Sequence, residues 1–207
     1  MSKRKHSKFK FDRRIGENLW NNPRSSVIAC SNPPGQHGAK IKTKTSDFCV
    51  RMIAKQKLKF YYSNLTESKL RKLYKKALRY GGNASHNLVR LLESRLDVLV
   101  YRVGLVTSLF AARQFVSHGH VLVNNIRVTI CSYMCKSGDV LRVAPKAINL
   151  LAVKTSVLNA CSRAPRYIHS DYKHLVFKLI NTPSVDDIEY ANSMCLDLVM
   201  EYYQGLN

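Results

Sequence analysis

Residues 112–125 read "ARQFVSHGHVLVNN" and residues 132–143 read "SYMCKSGDVLRV". A short helix starting near Thr107 or Ser108 and running to about Ser117 leads into the first stretch. The apolar period then drops to two. "HVLVNNIRVTI" (120–130) is a strand, an Asn-Asn turn and a second strand, because asparagine tolerates the positive φ that a tight hairpin needs. "KSGDVLRV" (136–143) adds another turn and strand. Upstream, Ser85 opens a helix over "HNLVRLLESRLDVLVYRVG" (86–104). Its stripe is Leu88, Leu91, Leu92, Leu96, Leu99, Val100 and Val103, and Gly104 ends it. Helices feeding a short antiparallel hairpin make this part of the chain α+β.

Farther toward the N-terminus the pattern is helical. Thr66 caps a helix in which Leu70, Leu73, Tyr74, Ala77 and Leu78 form the apolar stripe, and Gly81-Gly82 stops it. Lys69, Arg71, Lys72, Lys75, Lys76 and Arg79 fill the other face against the single Glu67. Solvated helix faces usually mix signs, so this one reads as a phosphate-contacting face. Before it, Ser46 caps a helix to about Tyr62, with Phe48, Met52, Ile53 and Phe60 as core candidates. Residues 1–45 are dense in Lys and Arg and broken by Pro23, Pro33, Pro34, Gly35 and Gly38, so they read as extended or looped. Toward the C-terminus, "RYIHSD" and "HLVFKLI" read as strands and "NSMCLDLVMEYYQ" as a short strand or helix, while 147–160 is ambiguous.

Four segments result: a basic extended stretch over 1–45, a helical domain over 46–92, a small helix-and-hairpin module over 93–157, and C-terminal strands and tail over 158–207 packing back on the helical domain. The predicted class is α+β, a mainly helical N-terminal domain plus a small module of helices and an antiparallel hairpin.

Charge sets the function class. The 207 residues carry 34 Lys and Arg against 13 Asp and Glu, a formal net charge of +21. Self-repulsion on that scale weakens a fold, and a polyanion is its natural counterweight. The excess is lopsided: residues 1–80 hold 21 basic and 4 acidic side chains. From Lys173 onward the sign reverses, with Asp186, Asp187, Glu189, Asp197 and Glu201 facing only Lys173 and Lys178. That tail suits a protein contact better than a phosphate. No apolar run approaches the ~20 residues of a membrane span. The six scattered cysteines read as free thiols, since the C-x3-C of Cys131 and Cys135 has no second pair to complete a metal site.

No catalytic constellation emerges. His118 and His120 form S-H-G-H, but no Cys or carboxylate stands near them at ligand spacing. Glu93 and Asp97, flanked by Arg90 and Arg95, read as helix-surface ion pairs. No G-x-S-x-G, Walker or Rossmann pattern occurs, and the chain reads as no enzyme, with no metal and no cofactor.

"LESRLDVLVYRVG" (92–104), "ARQFVSHGHVLVNN" and "SYMCKSGDVLRV" resemble the S4-type RNA-binding module. On that resemblance a helix N-terminus and the hairpin edge present Arg113, Gln114, Ser117, His118 and His120 on one rim, suited to a bent RNA backbone. "RRIGENLW" (13–20), "PPGQHG" (33–38), the basic helices up to "YGGNASHNL" and "EYYQ" (201–204) fall in the order of one family. From about Arg13 to Gln204 the chain resembles the bacterial-type small-subunit ribosomal protein S-four family. The resemblance implies a primary binder of small-subunit ribosomal RNA that nucleates assembly of the subunit body and influences translational accuracy. It also implies neighbouring small-subunit proteins including S-five as partners, and a place beside the channel through which mRNA enters. The expected location is a cytoplasmic ribosome, with an organellar one left open; the match starts within about a dozen residues of Met1, which argues against a cleaved presequence. Two rivals are an RNA-modifying enzyme carrying the same module, and a translational repressor acting on its own mRNA.

The prolines and glycines of "PPGQHG" pre-set a bend, and the second glycine would let backbone approach phosphate. Gln36 and His37 would then meet an RNA junction while Lys40, Lys42 and Lys44 neutralise the strand beyond. The expected RNA contacts are these five together with Arg13, Arg14, Lys55, Lys57, Arg71, Lys75 and Arg79. The module adds Arg95, Arg102, Arg113, Gln114, Ser117, His118 and His120. Some family members bind zinc through four N-terminal cysteines; Phe9 and Asp12 occupy two of those positions, so no zinc is expected. The family's T-R-x-E-A-R-Q is replaced by Ser108-Leu109-Phe110-Ala111-Ala112-Arg113-Gln114, which removes an Arg and a Glu from that helix.

Overall fold

The computed structural model describes residues 8–40, 45–150, 153, 165–185, 187–188 and 194–205, without the side chains of Lys8, Phe9 and Lys40. In chain order the helices are α1 (Lys8–Ile15), α2 (Ser26–Ala29), α3 (Asp47–Tyr61), α4 (Glu67–Arg79), α5 (Ala84–Glu93) and α6 (Leu96–Arg102). They continue with α7 (Leu109–Ser117), α8 (Pro145–Ile148) and α9 (Leu196–Gln204). The strands are β1 (Val121–Val123), β2 (Ile126–Arg127), β3 (Val140–Val143), β4 (Ile168–Asp171) and β5 (Val176–Leu179). The chain divides into two compact units, one of residues 1–71 with 189–207 and one of residues 72–188.

In the first unit, Ser46 caps α3 as expected, its hydroxyl oxygen accepting the Cys49 N–H at 3.4 Å. Of the core candidates predicted on this helix, Phe60 is buried and Met52 half-buried. Phe48 and Ile53 are exposed, and the core is made at the C-terminal end by Leu58, Phe60 and Tyr61. Phe60 stacks on Phe11 of α1 with ring centroids 3.6 Å apart. Two lysines on α3 are buried as well, which is tolerable only because each meets a carboxylate. Lys55 reaches Glu67 at 3.0 Å and Lys57 reaches Glu17 at 2.5 Å. Glu67 also accepts the Tyr203 hydroxyl of α9 at 2.7 Å, and Lys59 lies 3.4 Å away. One carboxylate thus ties α3, α4 and α9 together. Burial pulls its pKa up, but the hydrogen bonds from Tyr203 and Lys55 and the lysine charges outweigh that and leave it lowered.

In the second unit the expected long helix over 86–104 is two helices. Asn83, not Ser85, caps α5, its side-chain oxygen accepting the Ser85 N–H at 2.9 Å. At Ser94–Arg95 the chain turns a corner: the Ser94 hydroxyl donates to the Arg90 carbonyl at 2.6 Å and Arg95 is extended at φ −74°, ψ 141°. The freed backbone groups pair with residues from beyond the hairpin. Cys135 N–H donates to Ser94 O at 2.9 Å and Leu96 N–H donates to Tyr133 O at 2.9 Å. Glu93 and Asp97, expected on the surface, are fully buried at 0% and 1% exposure. Glu93 takes two hydrogen bonds from Arg102, at 2.9 and 2.7 Å, and Asp97 takes two from Arg95, at 3.0 and 2.6 Å.

The hairpin is as predicted: Asn124 and Asn125 hold φ of 49° and 67°, the mirror-image turn that matches strand twist. All strands form one antiparallel sheet in the order β2-β1-β3-β5-β4. Val121, Val123, Leu141, Val143, Phe177 and Leu179 join Leu96, Leu99, Val100, Val103, Ala112 and Val116 in its core. Of the segment 158–207, expected to pack back on the helical domain, β4 and β5 extend the sheet of the second unit through β3, while among the described residues α9 packs on α3.

Glu93→Gln leaves the Arg102 guanidinium without its charge partner and is expected to cost about 3–5 kcal/mol, read as a lowered urea midpoint. Glu67 should act through acid. Its folded pKa is lowered, so its stabilisation is complete above the unfolded carboxylate range and is lost as pH falls through the folded value. In Glu67→Gln, the drop in melting temperature between neutral pH and pH values below the ordinary carboxylate pKa of 4.5 should be smaller than in the parent chain.

Candidate nucleic-acid interface

The bend at residues 33–38 is built by its own atoms. Gly35 sits at φ +121°, and Gly38 N–H closes back on Gly35 O at 3.2 Å. A Cβ on Gly38 would overlap the Pro33 carbonyl oxygen. The second glycine thus allows the loop to close on itself, a role nearer home than the phosphate approach expected of it. Arg13 straps the loop to α1, donating from Nε to Asn32 O at 3.0 Å and from its terminal nitrogen to Pro33 O at 3.4 Å. Gln36 and His37 are left exposed at the tip. Lys42, Lys44 and the Lys40 side chain lie outside the described residues.

Three of the expected contacts share one helix face. Arg71, Lys75 and Arg79 recur at i, i+4 and i+8 on α4 and all are exposed. The helix end behind them is finished by Asn87 of α5, whose amide nitrogen donates to the carbonyls of Ala77, Tyr80 and Gly81 at 3.4, 3.2 and 3.1 Å. Arg14 is exposed at the end of α1. Lys55 and Lys57 are different: both are turned inward onto carboxylates, and Lys55 also stands over the Tyr202 ring at 4.5 Å. Arg95 and Arg102 are likewise taken up by Asp97 and Glu93. These four cations are structural in the folded chain.

In the module, Ser108 caps α7, accepting the Ala111 N–H at 3.2 Å. The expected rim lies at the opposite end of this helix. His118 is the C-cap, so the rim has the helix's carbonyl end beside it, and cationic side chains there are favoured by the dipole. Gln114 and His118 are exposed, while Arg113 and His120 are half-buried. Ser117 points inward, donating to Arg113 O at 2.8 Å and lying 3.0 Å from the Cys131 sulfur. Its hydroxyl proton is thereby committed. His120 packs near Phe115 and His118, with ring centroids 5.0 and 5.7 Å away. Its pKa is lowered by partial desolvation first, then by the charges of His118 and Arg127.

Arg127 on β2 is the residue that sequence reasoning missed. Its guanidinium donates to the His118 carbonyl at 2.9 Å and occupies the space where a Cβ on Gly119 would stand. Gly119, at φ +72°, is therefore needed twice, for its backbone and for its missing side chain. The hairpin turn fixes the pairing Leu122↔Arg127, a register that the turn residues reveal; the reach back over Gly119 they do not. Arg127 thus joins His118 and His120 at this end of the helix.

Burial, with Asp139 and Asp97 adding to it, pushes the Cys135 thiol up to about 12, so it is no nucleophile at neutral pH. Asp12 is fully buried and accepts the Ser25 hydroxyl at 2.7 Å. Among the described residues no group of three or more His, Cys, Asp or Glu is gathered as a metal site would need. No helix of the described residues is long and apolar enough to cross a membrane.

Comparison with known proteins gives the family. Residues 3–93 match the family model described as the ribosomal protein S4/S9 N-terminal domain, and residues 94–141 match that of the S4 domain. The chain is 48% identical over 203 residues to the small ribosomal subunit protein uS4 of Caulobacter vibrioides, a match that covers 98% of this chain and 99% of the relative. It is 49% identical, with the same coverage, to the protein of that name from Rhizobium rhizogenes, and 48% identical to that of Sinorhizobium fredii. With that identity along nearly its whole length, the chain belongs to the uS4 family of small-ribosomal-subunit proteins.

Proposed function

We propose that this chain is a structural constituent of the small ribosomal subunit which binds ribosomal RNA early and holds a folded junction in place. No bond is made or broken. The observation that carries this reading is the fate of charge in residues 1–80. Each of the four acidic side chains there serves the fold. Asp12 accepts the Ser25 hydroxyl, Glu17 meets Lys57, Glu67 meets Lys55 and Lys59, and Asp47 stands in the first turn of α3. The outward cations, Arg14, Arg71, Lys75 and Arg79 among them, are left for an external polyanion. Gln36 and His37 at the strapped loop, and the rim around Gly119, supply shape-selective contacts to sugar and phosphate.

The same reading covers the partners. The C-terminal helix α9 carries Asp197 and Glu201 at its surface, beside the exposed Phe48 of α3, a surface of the kind that takes a neighbouring protein. In this family S-five is the neighbour we assign to the chain, with mRNA passing close by on its way into the subunit. An RNA-modifying role is not favoured, because both family matches together account for residues 3–141 without a catalytic domain.

Binding to small-subunit ribosomal RNA should fall by about 10³–10⁵ between 50 and 200 mM salt, as expected for some 6–10 phosphate contacts. A slope of log K against log salt near zero in filter binding would rule the proposal out. Lys75→Ala should reduce that slope by about 1 and leave the melting temperature unchanged. Arg127→Ala should weaken binding although no family motif singled it out, and equal affinity for the two chains would remove the rim from the interface.

A further inference from the structure

Beside the strapped loop, α1 and the last turns of α3 enclose an open hollow of about 290 Å³. Its floor is apolar: half-buried Phe11 lies against buried Phe60 in a parallel stack, and Pro34 forms part of the wall. Of the polar groups around it, Lys59 is held by Glu67 at 3.4 Å, and the other four lack partners. Among the described residues, the side chains of Lys10, Arg14, Gln56 and Asn64 take part in no hydrogen bond or ion pair, although all four line the hollow. This contrasts with their neighbours. Arg13 is bonded to the loop, and Lys55 and Lys57 are bonded to carboxylates.

The chemistry of the lining is mixed in a particular way. Two outward cations at the mouth suit a phosphodiester. Two carboxamides, each a donor and an acceptor, suit the hydrogen-bonding edge of a base. An aromatic and proline surface suits the base's flat face. The volume is at the lower limit of small-molecule pockets, ~300 Å³, which matches one nucleotide and excludes a helix. Asn64 is held at φ 54°, a conformation asparagine tolerates, and this turns the chain at the end of α3 beside the hollow.

We propose that this hollow takes one unpaired nucleotide extruded from the bound RNA, its base against Phe11 and Pro34, its edge read by Gln56 and Asn64, and its phosphate held by Lys10 and Arg14. The inference rests on the RNA-binding reading above and adds a single-nucleotide readout to it. Electrostatic capture brings the RNA to the surface; the extruded base then fixes its register, because a neighbouring base cannot occupy the hollow without shifting the backbone off the cations.

Two substitutions isolate the base contacts. Asn64→Gly removes the carboxamide and relieves the left-handed backbone, and Gln56→Ala removes the other on a helix that favours alanine. The full-length double variant is compared with the parent chain for binding to small-subunit ribosomal RNA across a salt series. The expected result is an affinity loss of about ten-fold with an unchanged salt slope, as for two lost neutral hydrogen bonds, whereas Arg14→Ala should lower the slope by about 1. Wild-type affinity in a folded double variant overturns the inference and leaves the RNA-binding reading intact. A near-zero slope in the parent chain overturns that reading instead. Should the double variant fail to fold, the parent chain bound to RNA substituted with 4-thiouridine or 6-thioguanosine is irradiated and its peptides mapped. A nucleotide attached to the peptide bearing Phe11 or Phe60 supports the inference, and crosslinks confined to other peptides overturn it.

Discussion

Repulsion among like charges is the constraint to which the rest of this structure answers. A chain with a net charge of +21 must place its cations so that the folded state survives before any partner arrives. It does so by sorting them. Lysines and arginines whose ammonium or guanidinium must be desolvated are each matched to a carboxylate: Lys55 to Glu67, Lys57 to Glu17, Arg95 to Asp97, Arg102 to Glu93. Arg14, Arg71, Lys75 and Arg79 stand out in water, where the high dielectric weakens their repulsion and where phosphate can reach them. Glu67 shows how economical the sorting is, since one carboxylate of α4 serves two lysines of α3 and a tyrosine of α9.

Rigidity at the recognition loop follows a second physical logic. Ordering a flexible loop at the moment of binding would subtract from affinity. Here the ordering is complete in the free protein: Arg13 holds the carbonyls of Asn32 and Pro33, the prolines restrict φ, and Gly38 permits a closure that any side chain would block. Arg13 thereby shapes the loop without offering its charge outward. Around Gly119 the same device recurs, with a missing side chain giving Arg127 room to lie across the backbone and fix the rim.

Much of this was legible in the residues. The Ser46 cap, the start of α7 near Ser108, the Asn124-Asn125 turn and most of the α4 stripe rest on local rules; Leu70, Tyr74 and Ala77 of that stripe are buried, while Leu78 is exposed. The corner between α5 and α6 was not legible, because Leu92, Leu96 and Leu99 keep helical spacing straight through it; what breaks the helix is backbone pairing with Tyr133 and Cys135, far along the chain. Residue type misled at α3, where Phe48 and Ile53 face outward and Lys55 and Lys57 face inward, since the presence of Glu17 and Glu67 nearby depends on tertiary structure. The same holds for site residues. Arg14, Arg71, Lys75 and Arg79 are outward cations that composition could nominate, whereas separating them from Arg95 and Arg102 required knowing which carboxylates are buried with them.

The corner at Ser94 and Arg95 has a bearing on how the chain acquires its shape during synthesis. Its backbone partners are translated roughly 40 residues later, so closing it requires a loop of that length to come together first. Until Tyr133 and Cys135 have emerged, the Arg95 and Asp97 side chains lack their enclosure and the helices on either side have no fixed angle. The corner and the sheet beside it consequently close late and together, whereas the local turns of α4 are free to form as they leave the exit tunnel. A nascent chain would in this way offer its basic helix to RNA before its sheet has closed.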